Sequence, residues 1–252
     1  MQHVTQELDH GELDDWAAQL SAGYLPPGWE PVPSSSFTRV AHHAGHGLYY
    51  KEFLPRSPME SFKARIRGSR ASRARRNGDA LLRAGFEAPR NLHWGELPSG
   101  REFLYSSAAP GIGCAGWLAL HRADMRRRRA MLAALGVFVG RLHQSGFVHG
   151  DLRPDNVLVS EDSQRFRFTL IDNERNRRRR PPAGRQLLRN LMQLNMLRQE
   201  QLSTGDRWCF YRAWRSQMPQ LTDEESLLLA REARRWADRR LCAQASGVGG
   251  NR

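Results

Sequence analysis

The stretch FVHGDLRPDNVLVSEDSQRFRFTLIDNERNRRRR, which runs from Phe147 to Arg180, decides the fold. It contains two apolar pieces with the composition of strands, NVLV and RFTLID. Asp151 precedes the first piece, Asn156 begins it, and Asp172 ends the second. Oxygen-bearing side chains of this kind are the ligands that Mg²⁺ prefers in proteins. The stretch therefore predicts two adjacent strands whose ends carry a site with acidic and amide groups.

The segment HGDLRPDN matches the H-x-D-x-x-x-x-N pattern of a kinase catalytic loop. In that pattern Asp151 orients the attacking hydroxyl and accepts its proton, while Asn156 holds Mg²⁺. Asp172 lies sixteen residues after Asn156, at the end of a strand, where a kinase carries its metal-binding aspartate. Asn173-Glu174 stands where many kinases have Phe-Gly, a departure that bears on movement of the loop and leaves the metal-binding role of Asp172 intact.

Lys51 is the candidate contact for ATP phosphates. Only Lys51 and Lys63 are lysines among the 39 basic residues, and Lys51 lies in the apolar strand LYYKEF. A lysine in such a strand, in a chain that otherwise uses arginine, indicates a need for a compact ammonium group. The spacing leaves its acidic partner open, because Asp79 lies in the following helix and Glu60 and Glu87 flank that helix.

No G-x-G-x-x-G stands between the first two predicted strands, where a loop that covers phosphates would lie. If WEPVP and FTRVAHH are the first two strands, Ser34, Ser35 and Ser36 connect them. Their backbone amides and hydroxyls are able to bind phosphate, and an ordinary turn is an equal alternative.

The pattern of elements predicts an α+β fold with two lobes, because a run of strands is followed by a run of helices. We expect an N-terminal helical extension over residues 1–23, a β-rich N-lobe over 24–107, a helical C-lobe over 108–242 and a flexible tail over 243–252. The Gly-rich segment 108–116 is predicted to link the lobes.

Composition indicates the kind of binding partner and the cellular compartment. The net charge is +13 and the sequence pI is about 10.9, which favours anionic partners. The three cysteines form no CxxC pair, so neither a zinc site nor a disulfide framework is indicated. Neither a signal peptide nor a membrane-spanning run is visible, so we expect a cytoplasmic protein. No signature of a nucleic-acid-binding fold is present, and no specific nucleic acid partner is expected.

Two runs of arginine stand out, at 126–129 and at 175–180. A solvated face is the ordinary explanation of such a run. The second run follows Asp172 directly, where an acceptor should enter, and arginine pairs with phosphate through two parallel hydrogen bonds. Arg175, Arg177 and Arg178 are therefore candidate substrate contacts.

These residues resemble the bacterial lipopolysaccharide core kinases, which include the Kdo and heptose kinases. The resemblance covers roughly residues 35–215 and rests on YYKEF, SRASRARRNGDALLRAGFEAP, HGDLRPDNVLV, TLIDNER and STGDRWCFYRAW. It implies a protein-kinase-like fold, the use of ATP and Mg²⁺, and transfer of the γ-phosphate to a sugar hydroxyl of the inner core. It also implies work at the cytoplasmic face of the inner membrane, in peripheral contact with anionic lipid.

Two other functions stay open at this point. One is a kinase-like phosphotransferase that acts on a protein or a small molecule. The other is a pseudokinase that binds an anionic partner, which the missing glycines and the unassigned glutamate favour. Retention of Asp151, Asn156, Asp172 and Lys51 argues for an enzyme, since a scaffold needs none of them for chemistry. Neither the acceptor hydroxyl nor the oligomeric state follows from the sequence.

Overall fold

The computed structural model describes residues 9–55, 68–163, 165–179 and 184–246. The chain divides into two compact units. The first comprises Met1–Arg83 and Ala88–Ala109, and the second comprises Ala84–Glu87 and Pro110–Arg252. Residues 84–87 thus belong to the second unit, although they precede the lobe boundary expected from the sequence. Their place there follows from β-type pairing, since Leu170 donates its backbone N–H to the carbonyl of Glu87 at 2.9 Å.

The first unit is built on an antiparallel sheet with the strand order β1-β2-β3-β5-β4. In the described residues of this unit two helices accompany it, α1 (His10–Ser21) and α2 (Arg70–Arg83). The three strands expected at WEPVP, FTRVAHH and LYYKEF are confirmed. The strands are β1 (Trp29–Val32), β2 (Thr38–His43), β3 (Leu48–Phe53), β4 (Asn91–Glu96) and β5 (Glu102–Ser107).

Helix α1 packs into the core of this sheet. Leu13, Ala17 and Leu20 recur at helical spacing and are buried in one cluster with Tyr50 and Tyr105. The Tyr105 hydroxyl donates a hydrogen bond to the Leu13 carbonyl at 3.0 Å. The helix is therefore an integral part of the first unit, and burial of its apolar face stabilises it.

The second unit contains two small sheets and five helices in its described part. Strands β6 (Ile112–Gly113), β8 (Val157–Asp162) and β9 (Arg165–Leu170) form one sheet, and β7 (Phe147–Val148) pairs with β10 (Arg177–Arg178) in the other. The helices are α3 (Cys114–Leu120), α4 (Met125–Gln144), α5 (Gly184–Leu194), α6 (Thr204–Arg215) and α7 (Asp223–Ala245). Helix α7 includes residues 243–245, which the sequence analysis assigned to the tail.

The predicted linker is more ordered than expected. It contains β6, and helix α3 begins inside it, at Cys114. The glycines permit this arrangement, because a Cβ at Gly111 would lie 2.3 Å from the carbonyl oxygen of Val159. Gly111 also has a φ of +103°, a conformation that L side chains rarely adopt. The chain can therefore run directly against β8 here.

No helix of the described ranges has the length and apolar character needed to cross a membrane.

Candidate active site

The loop that follows β7 carries the HGD residues. A 3₁₀ turn, Pro154–Asn156, then leads into β8. Gly150 is required by close packing, because a Cβ on it would lie 2.1 Å from the Cβ of Arg175. Glycine at this position therefore lets the segment after Asp172 lie directly against the catalytic loop.

Asp151 is held through one of its two carboxylate oxygens. Its Oδ1 accepts hydrogen bonds from Arg153 Nε and from Gln193 Nε2, both at 3.0 Å. Its Oδ2 accepts none from the residues that the structure describes. The side chain is 23% exposed. The sequence pattern identified Asp151 but gave no sign of either donor.

Asn156 is fixed by its amide group. Its Nδ2 donates to the Asp151 carbonyl at 2.8 Å, which leaves its Oδ1 without a hydrogen bond to any described residue. The Asn156 carbonyl accepts from the backbone N–H of Ile171 at 3.1 Å. This bond brings Asn156 beside the end of β9, immediately before Asp172.

Asp172 adopts the left-handed conformation, with φ 59° and ψ 52°, and begins a 3₁₀ turn over Asn173–Arg175. Aspartate tolerates this region better than most residues, yet a non-glycine residue there is held by its surroundings at a cost of about 1–3 kcal/mol. The side chain is exposed. Strain of this kind recurs at functional sites.

His149 connects the catalytic loop to the end of β9. Its Nδ1 accepts from the backbone N–H of Asp151, and its Nε2 lies 3.1 Å from the Ile171 carbonyl. Nδ1 is an acceptor, so the proton resides on Nε2, which donates to that carbonyl. Burial lowers the pKa of His149. The neutral ring therefore holds the loop of Asp151 and the end of β9 together through these two hydrogen bonds.

The residues that replace Phe-Gly have a structural role. Asn173 Nδ2 donates to the Leu170 carbonyl at 2.8 Å, and Asn176 Nδ2 donates to Asn173 Oδ1 at 2.8 Å. Asn176 Oδ1 in turn accepts from the backbone N–H of Gly150 at 3.0 Å. This network holds the segment after Asp172 against the catalytic loop. Sequence reasoning missed Asn176.

Two amide side chains of α5 were also missed. Asn190 and Gln193 lie three residues apart on the buried face of this amphipathic helix, next to Leu187 and Leu191. Asn190 accepts from the His149 N–H at 3.1 Å and donates to the His149 carbonyl at 2.7 Å. The signal that could have found them is polar residues at core positions of an otherwise regular apolar stripe.

The predicted substrate residues lie on the segment after Asp172. Arg177 and Arg178 form β10 and are exposed, and Arg178 lies over the Phe147 ring at 5.0 Å from its centroid. Arg175 is half-exposed and its Nε lies 3.5 Å from Glu174 Oε1. Arg175 is therefore partly engaged within the protein.

Lys51 and the serine loop belong to the first unit. Lys51 is half-buried in β3, between Val40 and Leu104 on the neighbouring strands, with its Nζ 5.4 Å from the centroid of the Phe53 ring. Of its candidate partners, Asp79 accepts from Asn91 Nδ2 at 2.7 Å. Glu87 accepts from Arg167 in the second unit. Glu60 lies outside the described residues.

The serine loop is a hydrogen-bonded turn. Ser34 Oγ donates to the Thr38 carbonyl at 2.8 Å, and Ser35 Oγ lies 3.0 Å from Thr38 Oγ1. The Thr38 N–H also closes the turn onto the Ser35 carbonyl at 3.0 Å. The Ser36 side chain makes no hydrogen bond with a described residue, and all three serines are exposed. Two of the three hydroxyls are thus used within the turn.

The sequence model of the lipopolysaccharide kinase (Kdo/WaaP) family matches residues 32–214. The aminoglycoside phosphotransferase APH(3'')-Id from Streptomyces rimosus ATCC10970 has a similar structure, with a TM-score of 0.58 and 17% sequence identity over 90% of this chain and 98% of that chain. This likeness shows a kinase-like α+β fold.

WbdD in complex with the kinase inhibitor LY294002 is also similar, with a TM-score of 0.49 and 22% identity. The match covers 83% of this chain and 45% of the WbdD chain, so this chain spans less than half the length of WbdD. No curated protein matches the chain significantly.

Proposed function

The chain belongs to the lipopolysaccharide kinase (Kdo/WaaP) family, and from this membership we propose that it transfers the γ-phosphate of ATP to a sugar hydroxyl of the lipopolysaccharide inner core, on Kdo or heptose. The acceptor is a phosphorylated glycolipid. The reaction takes place at the cytoplasmic face of the inner membrane, with the protein in peripheral contact with anionic lipid.

The observation that carries the proposal is the hydrogen bonding of the Asp151 carboxylate. Two donors hold its Oδ1, and its Oδ2 accepts no hydrogen bond from a described residue. A general base must reach the proton it removes, within hydrogen-bond distance of the acceptor. Asp151 is oriented for this role, since the oxygen that remains is on a partly exposed side chain.

Asn156 and Asp172 are the proposed Mg²⁺ ligands. Both offer oxygen, which suits this hard cation, and Asn156 Oδ1 is not used by any residue of the described ranges. The residues therefore fit the ion. When bound, Mg²⁺ would neutralise charge on the phosphate oxygens of ATP. Asn156 and Asp172 are held next to each other by the backbone bond between Ile171 and Asn156.

Lys51 and the loop of Ser34, Ser35 and Ser36 are proposed to bind ATP. The half-buried ammonium of Lys51 supplies a compact positive charge for the α and β phosphates. Backbone N–H groups of the serine loop are proposed to contact phosphate as well, since two of the hydroxyls already serve the turn.

Arg175, Arg177 and Arg178 are proposed to bind anionic groups of the acceptor. Arg177 and Arg178 are exposed and stand on the strand that directly follows the Asp172 turn. Guanidinium groups pair with phosphate in a bidentate manner. Each such charge near an anionic leaflet is also worth about 1 kcal/mol, which supports peripheral membrane contact.

The first test offers purified protein ATP, Mg²⁺ and lipopolysaccharide core that lacks only the phosphate to be transferred, and measures the mass of the core. We expect a gain of one phosphate, its loss on omission of Mg²⁺, and a fall in rate of roughly a thousandfold or more in Asp151→Asn, because the base is removed without changing its size. Asp155→Asn is the matched control, since Asp155 is an exposed carboxylate of the same loop. It should keep most of the activity.

Other outcomes would redirect the proposal. Absence of transfer with ATP binding intact would mean that the acceptor is a protein or a small molecule. Absence of both transfer and ATP binding would identify a pseudokinase that binds an anionic partner. Equal losses in Asp151→Asn and Asp155→Asn would contradict the role of Asp151 as the base.

A further inference from the structure

Gln193 is the buried donor to the proposed base. Its side-chain Nε2 lies 3.0 Å from Asp151 Oδ1, and the residue is only 6% exposed. Rotation of a carboxylate about its last torsion is broad and roughly two-fold, so packing alone fixes it poorly. A donor that holds one oxygen fixes that rotation and thereby the direction of the other oxygen. Arg153, the second donor, is largely exposed and is less restrained.

The orientation of the Gln193 amide is itself determined by its neighbours. Its Oε1 accepts from the backbone N–H of Leu152 at 3.1 Å and from Asn190 Nδ2 at 3.2 Å. Both groups are donors, so the oxygen must face them and the NH₂ group must face Asp151. A flipped amide would leave two donors opposed to an NH₂ group.

A buried chain of hydrogen bonds continues behind Gln193. Asn190 Oδ1 accepts from His143 Nε2 at 3.2 Å, and His143 Nδ1 accepts from Trp214 Nε1 at 3.1 Å. Asn190, His143 and Trp214 are fully buried. A buried network whose members all have partners is rigid, whereas a missing partner is expensive. The network connects α4, α5 and α6 to the loop that carries Asp151.

From these contacts we infer that Gln193 is a positioning residue for Asp151: its neutral amide holds Oδ1 and directs Oδ2 toward the acceptor hydroxyl. The inference rests on the proposed role of Asp151 as the base. The absence of charge on the Gln193 amide is part of this role. A carboxylate in place of the amide would lie about as close to Asp151, and it would repel the charge on Oδ1 instead of donating a hydrogen bond to it.

Activity measurements separate positioning from a purely structural role. Gln193→Glu keeps the acceptors for Leu152 and Asn190, so we expect it to fold. Its kcat should fall roughly tenfold or more with the KM for ATP nearly unchanged, because a carboxylate cannot donate to Asp151 Oδ1. Gln193→Met removes the donor without adding charge, and its kcat should fall roughly tenfold to a hundredfold with the KM for ATP nearly unchanged. Gln244→Glu, on the exposed face of α7, is the matched charge control.

A second measurement does not depend on finding the acceptor. The side-chain NH₂ resonance of Gln193 should shift between wild-type protein and Asp151→Ala, because that substitution removes the acceptor at 3.0 Å. The same resonance should stay in place in Asp155→Ala. A Gln193 resonance that is unchanged in Asp151→Ala, or a kcat of Gln193→Glu that matches that of Gln244→Glu, would overturn the inference. If no acceptor is phosphorylated while the resonance shifts as expected, the proposed function fails and the contact between Gln193 and Asp151 stands.

Discussion

At the scale of single residues, burial of His143 makes the stability of the folded protein depend on pH. Its ring is completely buried, with Nδ1 accepting from Trp214 and Nε2 donating to Asn190. Burial lowers its pKa to about 4, from an ordinary value of 6.5. Protonation would also convert Nδ1 into a donor facing the donor of Trp214. The folded protein therefore requires the neutral ring.

The first consequence is a loss of stability in mild acid. Unfolded chains bind the His143 proton near pH 6.5 and the folded protein only near pH 4, so the free energy of unfolding should fall as pH drops through this window. The shift corresponds to on the order of 3 kcal/mol for the complete titration. Burial lowers the pKa of His149 and of His43 too, so their contributions have the same sign.

Urea unfolding at pH 7 and at pH 4.5 measures this difference directly. His143→Gln cannot titrate, so the difference between the two pH values should shrink, although the variant is less stable at pH 7. The same substitution at His10, which is exposed on α1, controls for the loss of a histidine as such. A pH difference that is equal in His143→Gln and in wild type would contradict the assignment.

The candidate site residues differ in whether a sequence pattern indicates them. Asp151, Asn156 and Asp172 could be proposed from the sequence because the kinase pattern they match has fixed spacing around two strands. Gln193 and Asn176 could not, because an amide side chain meets its partner only after distant segments pack. Such residues follow no spacing rule, and only burial of a polar group marks them.

At the scale of elements, α4 and α6 pack at glycines. A Cβ at Gly136 would lie 2.4 Å from the carbonyl oxygen of Phe210, a backbone atom. A carbonyl cannot move aside as a flexible side chain can, so the helices would have to separate. A glycine in the middle of a helix lowers its intrinsic stability, and here close approach explains its presence.

Substitution of this glycine tests the packing. Gly136→Ala should lower the free energy of unfolding by about 1–3 kcal/mol, because overpacking outweighs the better helix propensity of alanine. Gly116→Ala is the matched control, since Gly116 lies in α3 and a Cβ there meets nothing within 4 Å. It should raise stability by up to about 1 kcal/mol. Chemical denaturation of both variants gives the comparison, and stabilisation of Gly136→Ala would refute the packing argument.

The first arginine run also acquires a structural role at this scale. Arg128 is buried and donates to the Leu118 carbonyl at 2.7 Å, to the Gln201 carbonyl at 2.8 Å and to Asp206 Oδ2 at 2.8 Å. Asp206 belongs to the capping box at the start of α6. The run is thus not a uniform solvated face. The Arg128–Asp206 pair joins α4 to α6 across 78 residues of sequence, so it could not be predicted from charge alone. The same holds for the role of STGDRW as a helix cap and anchor.

At the scale of the whole molecule, the net charge of +13 predicts attraction to any anionic acceptor. Net charge and local charge make different predictions. If net charge attracts the acceptor, removal of any two arginines should raise the KM for the acceptor. If a local surface binds it, only removal of arginines that contact the acceptor should raise that KM. Arg177 and Arg178 are exposed on β10, and Arg239 and Arg240 are exposed on α7 of the same unit. The two pairs carry the same charge and therefore make a matched comparison.

Replacement of each pair by glutamine distinguishes the two effects. In Arg177→Gln/Arg178→Gln the KM for the anionic acceptor should rise roughly tenfold at low salt with kcat nearly unchanged, because electrostatic attraction acts on encounter more than on chemistry. The difference from wild type should shrink near 1 M salt, where the Debye length is about 3 Å. Arg239→Gln/Arg240→Gln should change KM by less than about twofold. Steady-state rates at several salt concentrations measure both, and equal increases in KM for the two double variants would assign the attraction to net charge instead of to the strand beside Asp172.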